Sequence, residues 1–535
     1  MDMSVQLQPI ATLLIIALAI FLYKLYKPAT STAGGKKVKA PPEPKGRLPI
    51  LGHLLMLGGD EPLPRKLGSL ADEYGPAFVL RLGSRPALVI STWELTRECF
   101  TTNDKALAAR PKLEVGTQMS YNNAMLGFAP EGAYWRDLRK ITVRDLLSPR
   151  RLHSLRQVRA AEVHLIMKDL YGLWEKNGEK AVKVEMSERF GDLTFNVIAM
   201  MVIGKSCFGR VGEAAAAAAG RFREAVKEWF HLFGIFVPAD VFPFLKWWDL
   251  RGYKKEMRRI FHVLDTLLTE WLEEHRRKKV HVHGDGDGDG VGDDDERQQD
   301  FLDVLIANVD GSQFTDYDVD TIIKATTLTA IIAGYDTTWI SSTWTLSLLL
   351  NNRETIRKAQ EELDKQVGRD RNVEESDLNN LIYLQAIIKE SLRLYPSAPL
   401  SGPHESTEDC YVGGYFIPAG TRLLVNLSKL HRDPRVWSEP EEFRPERFLT
   451  EHADVEGKGK HFQYLPFGAG RRMCPGYIMA HQLLQLTFAR LLHGFELRSV
   501  GDEPVDMTEA SGLTAPKATP LEVLLSPRLP LELYQ

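Results

Sequence analysis

The long segments of this chain repeat their apolar residues at the three-to-four spacing of an α-helix, and that pattern narrows the folds open to it more than any single motif does. Residues 257–278, 353–367 and 477–495 carry it. Strand-like stretches are short and scattered: "AFVLRLG" at 77–83, "ALVIS" at 87–91 and "TRLLVNL" at 421–427. No internal repeat divides the chain. The expected class is mainly α with small β-sheets. With 535 residues, 44% of them hydrophobic, the chain can bury one large core or two ordinary ones.

One stretch is too apolar for a globule surface. "PIATLLIIALAIFLY" fills residues 9–23, and counted from Val5 it approaches the roughly 20 residues that span a bilayer. No basic residue precedes it, whereas Lys24, Lys27, Lys36, Lys37 and Lys39 follow, an asymmetry that keeps the downstream side cytosolic. A cleaved signal peptide is the rival reading, since "ATSTAG" at 29–34 resembles a cleavage site. The charge order favours a single transmembrane anchor over residues 1–27. Residues 28–49 then form a basic, proline-rich hinge, stiffened by "KAPPEPKGRLP", and 50–535 the globular domain.

A second apolar stretch, "TTLTAIIAGYDTTWISSTWTLSLLL" at 326–350, carries Asp336 and many hydroxyls that would be costly in lipid. It reads as a buried central helix, locally distorted near Gly334 and Thr337. Residues 279–297 read as an acidic, disordered loop. Within it Asp285, Asp287, Asp289, Gly290 and Glu296 formally satisfy a calcium-loop pattern. A Gly-Asp repeat meets that pattern by composition alone, and Gly292 stands where such loops place an apolar residue.

A net charge of -4 gives no bulk attraction to nucleic acid, and none is expected as a partner. The four cysteines, Cys99, Cys207, Cys410 and Cys474, are far apart, with no C-x-x-C pair and no histidine at zinc-site spacing. Neither structural zinc nor a disulfide framework is indicated. A reducing compartment leaves Cys474 free to act as a thiolate.

Cys474 sits in "PFGAGRRMCPG", residues 466–476, just before the helical pattern of 477–495. A helix start lowers a thiol's pKa through its dipole and free N–H groups. Gly468, Gly470 and Gly476 remove side chains, as a loop must when its backbone closes on a flat ligand and donates hydrogen bonds to sulfur. Arg472 is placed to face an anionic group.

The run "FGAGRRMCPG" matches F-x-x-G-x-R-x-C-x-G in full, and on these residues the chain resembles the haem-thiolate monooxygenases, the cytochrome P-450 family. The resemblance implies the cytochrome P-450 fold and a haem b whose axial iron ligand is Cys474. Phe467 would pack over the sulfur, Arg472 would pair with a propionate, and Gly470 and Gly476 would shape the loop. Further segments resemble the family in its order, so that the likeness runs from about residue 41 to the end. "KESLRLYP" supplies Glu390 and Arg393, and "FRPERF" supplies Arg447, implying a buried Glu-Arg-Arg network that braces the haem loop. "WRDLRK" supplies Trp135 and Arg139, similar to the helix pair that holds a propionate. "AGYDTT" at 333–338 resembles the oxygen-activating stretch: Gly334 makes room beside the haem, Thr337 delivers a proton through its hydroxyl and Asp336 relays protons inward. The alternative for the threonines is bonding back to helix carbonyls. His404 stands where the family often has arginine, which implies a weaker, pH-dependent contact.

No strand-G-x-G-x-x-G-helix unit is present to bind flavin or nicotinamide, so NADPH electrons imply a separate NADPH-cytochrome reductase. The basic residues Arg136, Arg139, Lys140, Arg144, Arg150, Arg151, Arg156 and Arg159 offer that acidic partner a docking face on the endoplasmic-reticulum membrane. The hinge, "HRDP" at 431–434 and the form of the cysteine loop look most like plant microsomal members of the family. Those oxidise alkaloids, flavonoids, phenolics and terpenoids. Segments lining the pocket by similarity are 111–128, 397–402 and 512–514. They carry no clustered acid, which implies a small apolar substrate, hydroxylated or oxidatively demethylated with O2. The aromatic stretch 230–248 borders a membrane-facing mouth or is ordinary core. Two other readings stay open: a haem-thiolate rearrangement enzyme that uses no O2, against which Asp336 and Thr337 argue, and a non-enzymatic haem-binding protein, which needs no reductase-docking face.

Overall fold

Periodicity becomes helix where the sequence places it. Residues 257–278 lie within Tyr253–Gly284, 353–367 becomes Arg353–Gln366, and 477–495 becomes Tyr477–Gly494. The structure, a computed structural model, describes residues 32–33, 36–37, 39–206, 213–235, 237–249, 251–284 and 299–535. The expected anchor, residues 1–27, lies outside these. So do residues 285–298, which hold the calcium-loop pattern; the preceding helix runs to Gly284, into the tract 279–297 read as loop. Among the described residues no helix is long and apolar enough to cross a membrane.

The chain divides into two compact units. The first takes in the described parts of Met1–Pro111, together with Val237–Trp248 and Leu400–Leu430. The three strand-like stretches of the sequence meet here in one four-stranded sheet, ordered Ala77–Leu82, Arg85–Ile90, Arg422–Val425, His404–Glu405. The first pair is an antiparallel hairpin, the second is parallel and the third antiparallel. Strand Arg85–Ile90, paired on both edges, is buried from Ala87 to Ile90, which is why it reads as a continuous apolar run and not an alternating one. Helix Leu63–Tyr74 packs Leu67 and Ala71 against Phe78, Leu80 and Val89. His404 is buried, its Nδ1 2.8 Å from the Leu107 carbonyl and its ring 5.3 Å from that of Phe100.

The second unit comprises Lys112–Phe236, Asp249–Pro399 and His431–Gln535. Its longer helices, in chain order, are α1 (Ala133–Ile141), α2 (Arg156–Lys176), α3 (Met186–Ile203), α4 (Glu213–Gly234), α5 (Tyr253–Gly284), α6 (Phe301–Asn308), α7 (Val319–Asn351), α8 (Arg353–Gln366), α9 (Ile382–Leu394) and α10 (Tyr477–Gly494). A small antiparallel sheet runs Phe495–Ser499, Glu522–Pro527, Val182–Glu185.

Helix α7 is the core of this unit, packed against α3, α5, α9 and α10. It is rich in hydroxyls yet largely buried, and the reason is local. Thr326, Thr327, Thr329, Thr337, Ser341, Ser342, Thr343, Thr345 and Ser347 each donate to the carbonyl four residues back, at 2.7–2.9 Å. Each hydroxyl is satisfied without a partner from another element, so it adds little desolvation penalty. The expected distortion at Gly334 and Thr337 is not found: α7 is one unbroken α-helix, because the Thr337 hydroxyl bonds the Ala333 carbonyl without displacing the helical ladder.

Candidate active site

Every expected site residue lies in the second unit, where Glu390, Arg393 and Arg447 come together. Glu390 and Arg393, three apart on α9, and Arg447, in the short turn Pro445–Phe448, are completely buried. Arg393 grips Glu390 with two bonds, Nε–Oε2 at 2.7 Å and Nη2–Oε1 at 2.8 Å, and Arg447 Nε reaches Oε1 at 3.0 Å. One carboxylate between two guanidiniums leaves an excess positive charge out of water. Backbone carbonyls absorb it: Arg393 also bonds His431, Pro440 and Glu442, and Arg447 bonds Ser438, Glu439 and Glu442. The network thereby fixes the path of residues 431–447. Removing one member of such a buried cluster typically costs 3–5 kcal/mol.

The link from this network to the cysteine loop is His431, a residue the sequence reading quoted without giving it a role. Its Nε2 accepts the Leu465 N–H at 2.8 Å, and its Nδ1 lies 3.2 Å from the Arg393 carbonyl. Accepting at Nε2 requires the neutral ring with its proton on Nδ1. Burial, with Arg393 and Arg432 nearby, holds its pKa at about 3. The signal available in sequence was a histidine beginning "HRDP" far from any partner of its own.

Leu465 leads into the loop. Gly468 and Gly470 take φ of +70° and +67°, left-handed values that would strain other residues, and they turn the chain back so that the Cys474 N–H meets the Phe467 carbonyl at 2.9 Å. The Phe467 ring rests against His481 and Tyr477, at 5.1 and 6.4 Å between ring centroids. A Cβ on Gly476 would stand 3.9 Å from the Cys474 sulfur. Cys474 is a free thiol, set deep in the fold while its residue surface stays part-open. The expected lowering of its pKa is not the net result. Burial pushes the thiol up, and the Gly476 N–H and the charge of Arg139 offset this only in part.

Trp135, Arg139 and Arg472 come together. The Arg472 guanidinium carbon lies 4.2 Å from the centre of the Trp135 ring, and that of Arg139 5.7 Å. Arg139 Nη2 bonds the Met473 carbonyl at 2.7 Å, beside Cys474. Arg472 reaches the carbonyls of Ala129 (2.7 Å) and Leu126 (3.3 Å), in the loop before α1.

The oxygen-activation stretch departs from expectation at Gly334. Its missing Cβ makes room for α3, since a Cβ there would lie 2.7 Å from Ile198 Cδ1. The open face of α7 belongs instead to its neighbours: Ala333 is exposed, with Ala330 and Thr337 half-buried a turn to either side. Met479, early in α10, approaches the Gly334 position at 3.5 Å and so sets the start of α10, which follows Cys474, against this part of α7. Asp336 is buried. Its Oδ2 accepts from Thr514 Oγ1 at 2.8 Å and its Oδ1 from Trp339 Nε1 at 3.2 Å. Burial raises its pKa to about 6 against the pull of both donors.

These residues suit a haem. A soft thiol stands in a glycine-shaped loop, two guanidiniums flank it for carboxylates, and a two-turn face of small residues on α7 leaves space for a flat ring.

The basic segment 136–159 is less uniform than the sequence suggests. Arg159 is fully buried and bonds Glu375 at 2.7 and 2.9 Å, while Arg151 turns inward to the carbonyls of Gln299 and Asp300. Arg136, Lys140, Arg144, Arg150 and Arg156 remain exposed.

A family model described as Cytochrome P450 matches residues 41–523. Among curated proteins, the chain is 49% identical to a strychnine-10-hydroxylase of Strychnos nux-vomica over 98% of both chains. It is 49% identical to a xanthotoxin 5-hydroxylase of Arabidopsis thaliana, over 93% of this chain and 95% of the relative. A flavonoid-6-hydroxylase of Mentha piperita is also 49% identical, over 93% of this chain and 94% of its own.

Proposed function

The chain belongs to the cytochrome P450 family, and from that premise we propose that it hydroxylates a small, largely apolar plant metabolite with fused or linked rings, in the manner of its relatives that act on strychnine, xanthotoxin and flavonoids. It is a haem-thiolate monooxygenase. The haem, when bound, supplies the redox centre at which dioxygen is reduced and one of its atoms passes to the substrate.

Cys474 is the residue that would hold the iron, and metal binding deprotonates a thiol outright, which overcomes the upward push of burial. The Gly476 N–H and Arg139 stabilise the resulting negative charge. Trp135, Arg139 and Arg472 form the cationic flank for propionates, and Phe467 and Gly470 shape the loop. Glu390, Arg393, Arg447 and His431 hold that loop in place. Asp336, with a pKa near the working pH, both takes and gives a proton. The Thr337 hydroxyl donates to the Ala333 carbonyl, and its oxygen retains lone pairs at which a proton can be received and passed on.

An aromatic cluster supports a flat substrate. Phe128 lies 5.1 Å from Phe233 and 6.1 Å from Trp229, and residues 512–513 approach Gly234 next in the chain. Glu114, an acid of the 111–128 segment, is already paired with Lys254. Such surroundings reward ring area and offer no carboxylate to a cation.

Electrons come from NADPH through a separate reductase, docked on the exposed Arg136, Lys140, Arg144, Arg150 and Arg156. Residues 1–27 anchor the chain in the endoplasmic-reticulum membrane, ahead of the hinge 28–49 and the cytosolic catalytic domain 50–535. Exposed Leu55, Phe244, Trp247 and Trp248 of the first unit are consistent with a lipid-facing side.

The observation that carries the reading is the free Cys474 thiol in a loop braced by a buried charge network. The test is the spectrum of the reduced, carbon-monoxide-bound protein, followed by product formation with reductase, NADPH and a plant-metabolite panel. Cys474→Ser removes the thiolate band; a band that survives the substitution overturns the assignment.

A further inference from the structure

We propose that Thr514 is a positioning residue for proton supply, its hydroxyl fixing the orientation and charge of Asp336 and tying that acid to the segment 512–515. The inference rests on the reading of Asp336 as a proton relay.

The two donors that hold Asp336 are not equivalent. Trp339 sits three residues on in the same helix and travels with the acid. Thr514 comes from a segment 178 residues away, so its 2.8 Å bond is the one that fixes the carboxylate against another part of the protein. That segment is itself pinned: Trp344 Nε1 of α7 donates to the Ala515 carbonyl at 2.7 Å, and the Ala515 N–H donates to the Ser397 carbonyl at 3.0 Å. The stretch immediately before Thr514 is much less encumbered. Gly512 is exposed and Leu513 half-buried, and both face the end of α4, where the Leu513 nitrogen and Gly512 Cα stand 3.5 and 3.7 Å from a Cβ built on Gly234. The Thr514 hydroxyl therefore stands between a lightly held stretch, 512–513, and an anchor at 515, and donates to the acid from that junction.

The hydroxyl acts on charge as well as direction. A donor to a carboxylate favours its ionised form, so Thr514 opposes the burial that otherwise keeps Asp336 protonated. The ionisable groups behind the acid belong to other elements: the Tyr335 phenol, which feels the charge of Asp336, then Arg223 of α4, which bonds both Tyr335 and Asp192 of α3. Substitution at 514 leaves them in place.

The test uses full-length, haem-loaded protein labelled with 13C-aspartate and titrated by infrared difference spectroscopy. The protonated-carboxyl band that Asp336→Asn abolishes belongs to Asp336. In the wild type its midpoint is expected near pH 6. Thr514→Val keeps the volume and loses the donor, and should raise the midpoint by about one pH unit, the shift expected for losing one hydrogen bond to a charged group. Thr514→Ser should titrate close to wild type. A Thr514→Val midpoint equal to wild type overturns the proposal, as does a Thr514→Ser midpoint displaced as far as that of Val. With reductase present, the pH at which NADPH consumption is half-maximal should move with the midpoint. If the band moves and consumption does not, the relay reading of Asp336 fails while the hold of Thr514 on it stands. The reduced carbon-monoxide spectrum, which reads the thiolate ligand and not Asp336, reports separately on the haem-thiolate assignment.

Discussion

His431 receives the N–H of Leu465 on one ring nitrogen and faces the carbonyl of Arg393 with the other, so a single neutral imidazole joins the buried charge network to the residue that leads into the cysteine loop. Replacing it with alanine leaves the Leu465 N–H buried and unpaired, at about 1–3 kcal/mol. His431→Ala should therefore lower the melting temperature and convert much of the reduced carbon-monoxide spectrum from the thiolate to the thiol-type form. His431→Asn, which retains a donor and an acceptor, should restore part of it.

The same residue makes a prediction about acid. Its pKa is about 3 in the folded protein against an ordinary 6.5, so the unfolded chain binds the proton more readily. The stability it lends is complete above pH 6.5 and is lost as pH falls toward 3. Over that window His431 should contribute a slope of about 1.4 kcal/mol per pH unit. In denaturant titrations from pH 7 to pH 4, His431→Asn should show a slope shallower by about one proton. An unchanged slope would mean that the ring is not held neutral.

Asp336 runs the other way. Its pKa stands at about 6 in the folded protein, above the ordinary 3.8. The stabilisation from protonating it is full below pH 3.8 and disappears as pH rises through 6, leaving a buried carboxylate above that. Asp336→Asn replaces the charge with an amide that can still accept from Trp339 and donate to Thr514. At pH 8 the variant should be more stable than wild type by on the order of 2–3 kcal/mol, with the difference closing at low pH, while turnover slows. Calorimetry at pH 8 and pH 4 checks the first part and product rate the second.

Thr337→Ala removes a hydroxyl whose bond is internal to its helix, so stability should change by less than about 1 kcal/mol and haem binding should persist. Product per NADPH should fall, with hydrogen peroxide released in its place. Thr337→Ser should keep wild-type coupling. Equal coupling in Thr337→Ala would leave the residue with its helix role only.

Gly334→Ala places a methyl group 2.7 Å from Ile198 Cδ1. The overpacking should cost about 1–3 kcal/mol. Ile198→Val deletes the clashing atom, and in a double-mutant cycle it should recover a large part of the loss. If the two substitutions are additive, the glycine is not there for α3.

Much of this was open to reading in the chain. The buried central helix follows from periodicity, because burial leaves a strong pattern along the sequence, and the pairing of Glu390, Arg393 and Arg447 from the resemblance of their two segments to the family. The contact of Gly334 with Ile198 was not legible, because a glycine shows only that something is close, not which neighbour it is. The sequence shows His431 only as part of "HRDP" and Thr514 only as part of the segment 512–514, because each acts on a partner distant in sequence through a hydrogen bond, and such a bond imposes no spacing. The thiol pKa was misjudged because a helix start is a local feature and burial is not. Arg159, counted as surface charge, is buried because Glu375 meets it from far along the chain.

Arg472 holds the loop before α1 by the carbonyls of Leu126 and Ala129. Every amino acid presents the same carbonyl. A part-exposed side chain of this loop, Phe128 for one, can thus change over evolutionary time without loosening the grip of the residue two places from Cys474, while Leu126 and Ala129 stay fixed by burial. A lineage of such enzymes can explore new substrates at this loop by ordinary point mutation while the metal centre inherits an unchanged support.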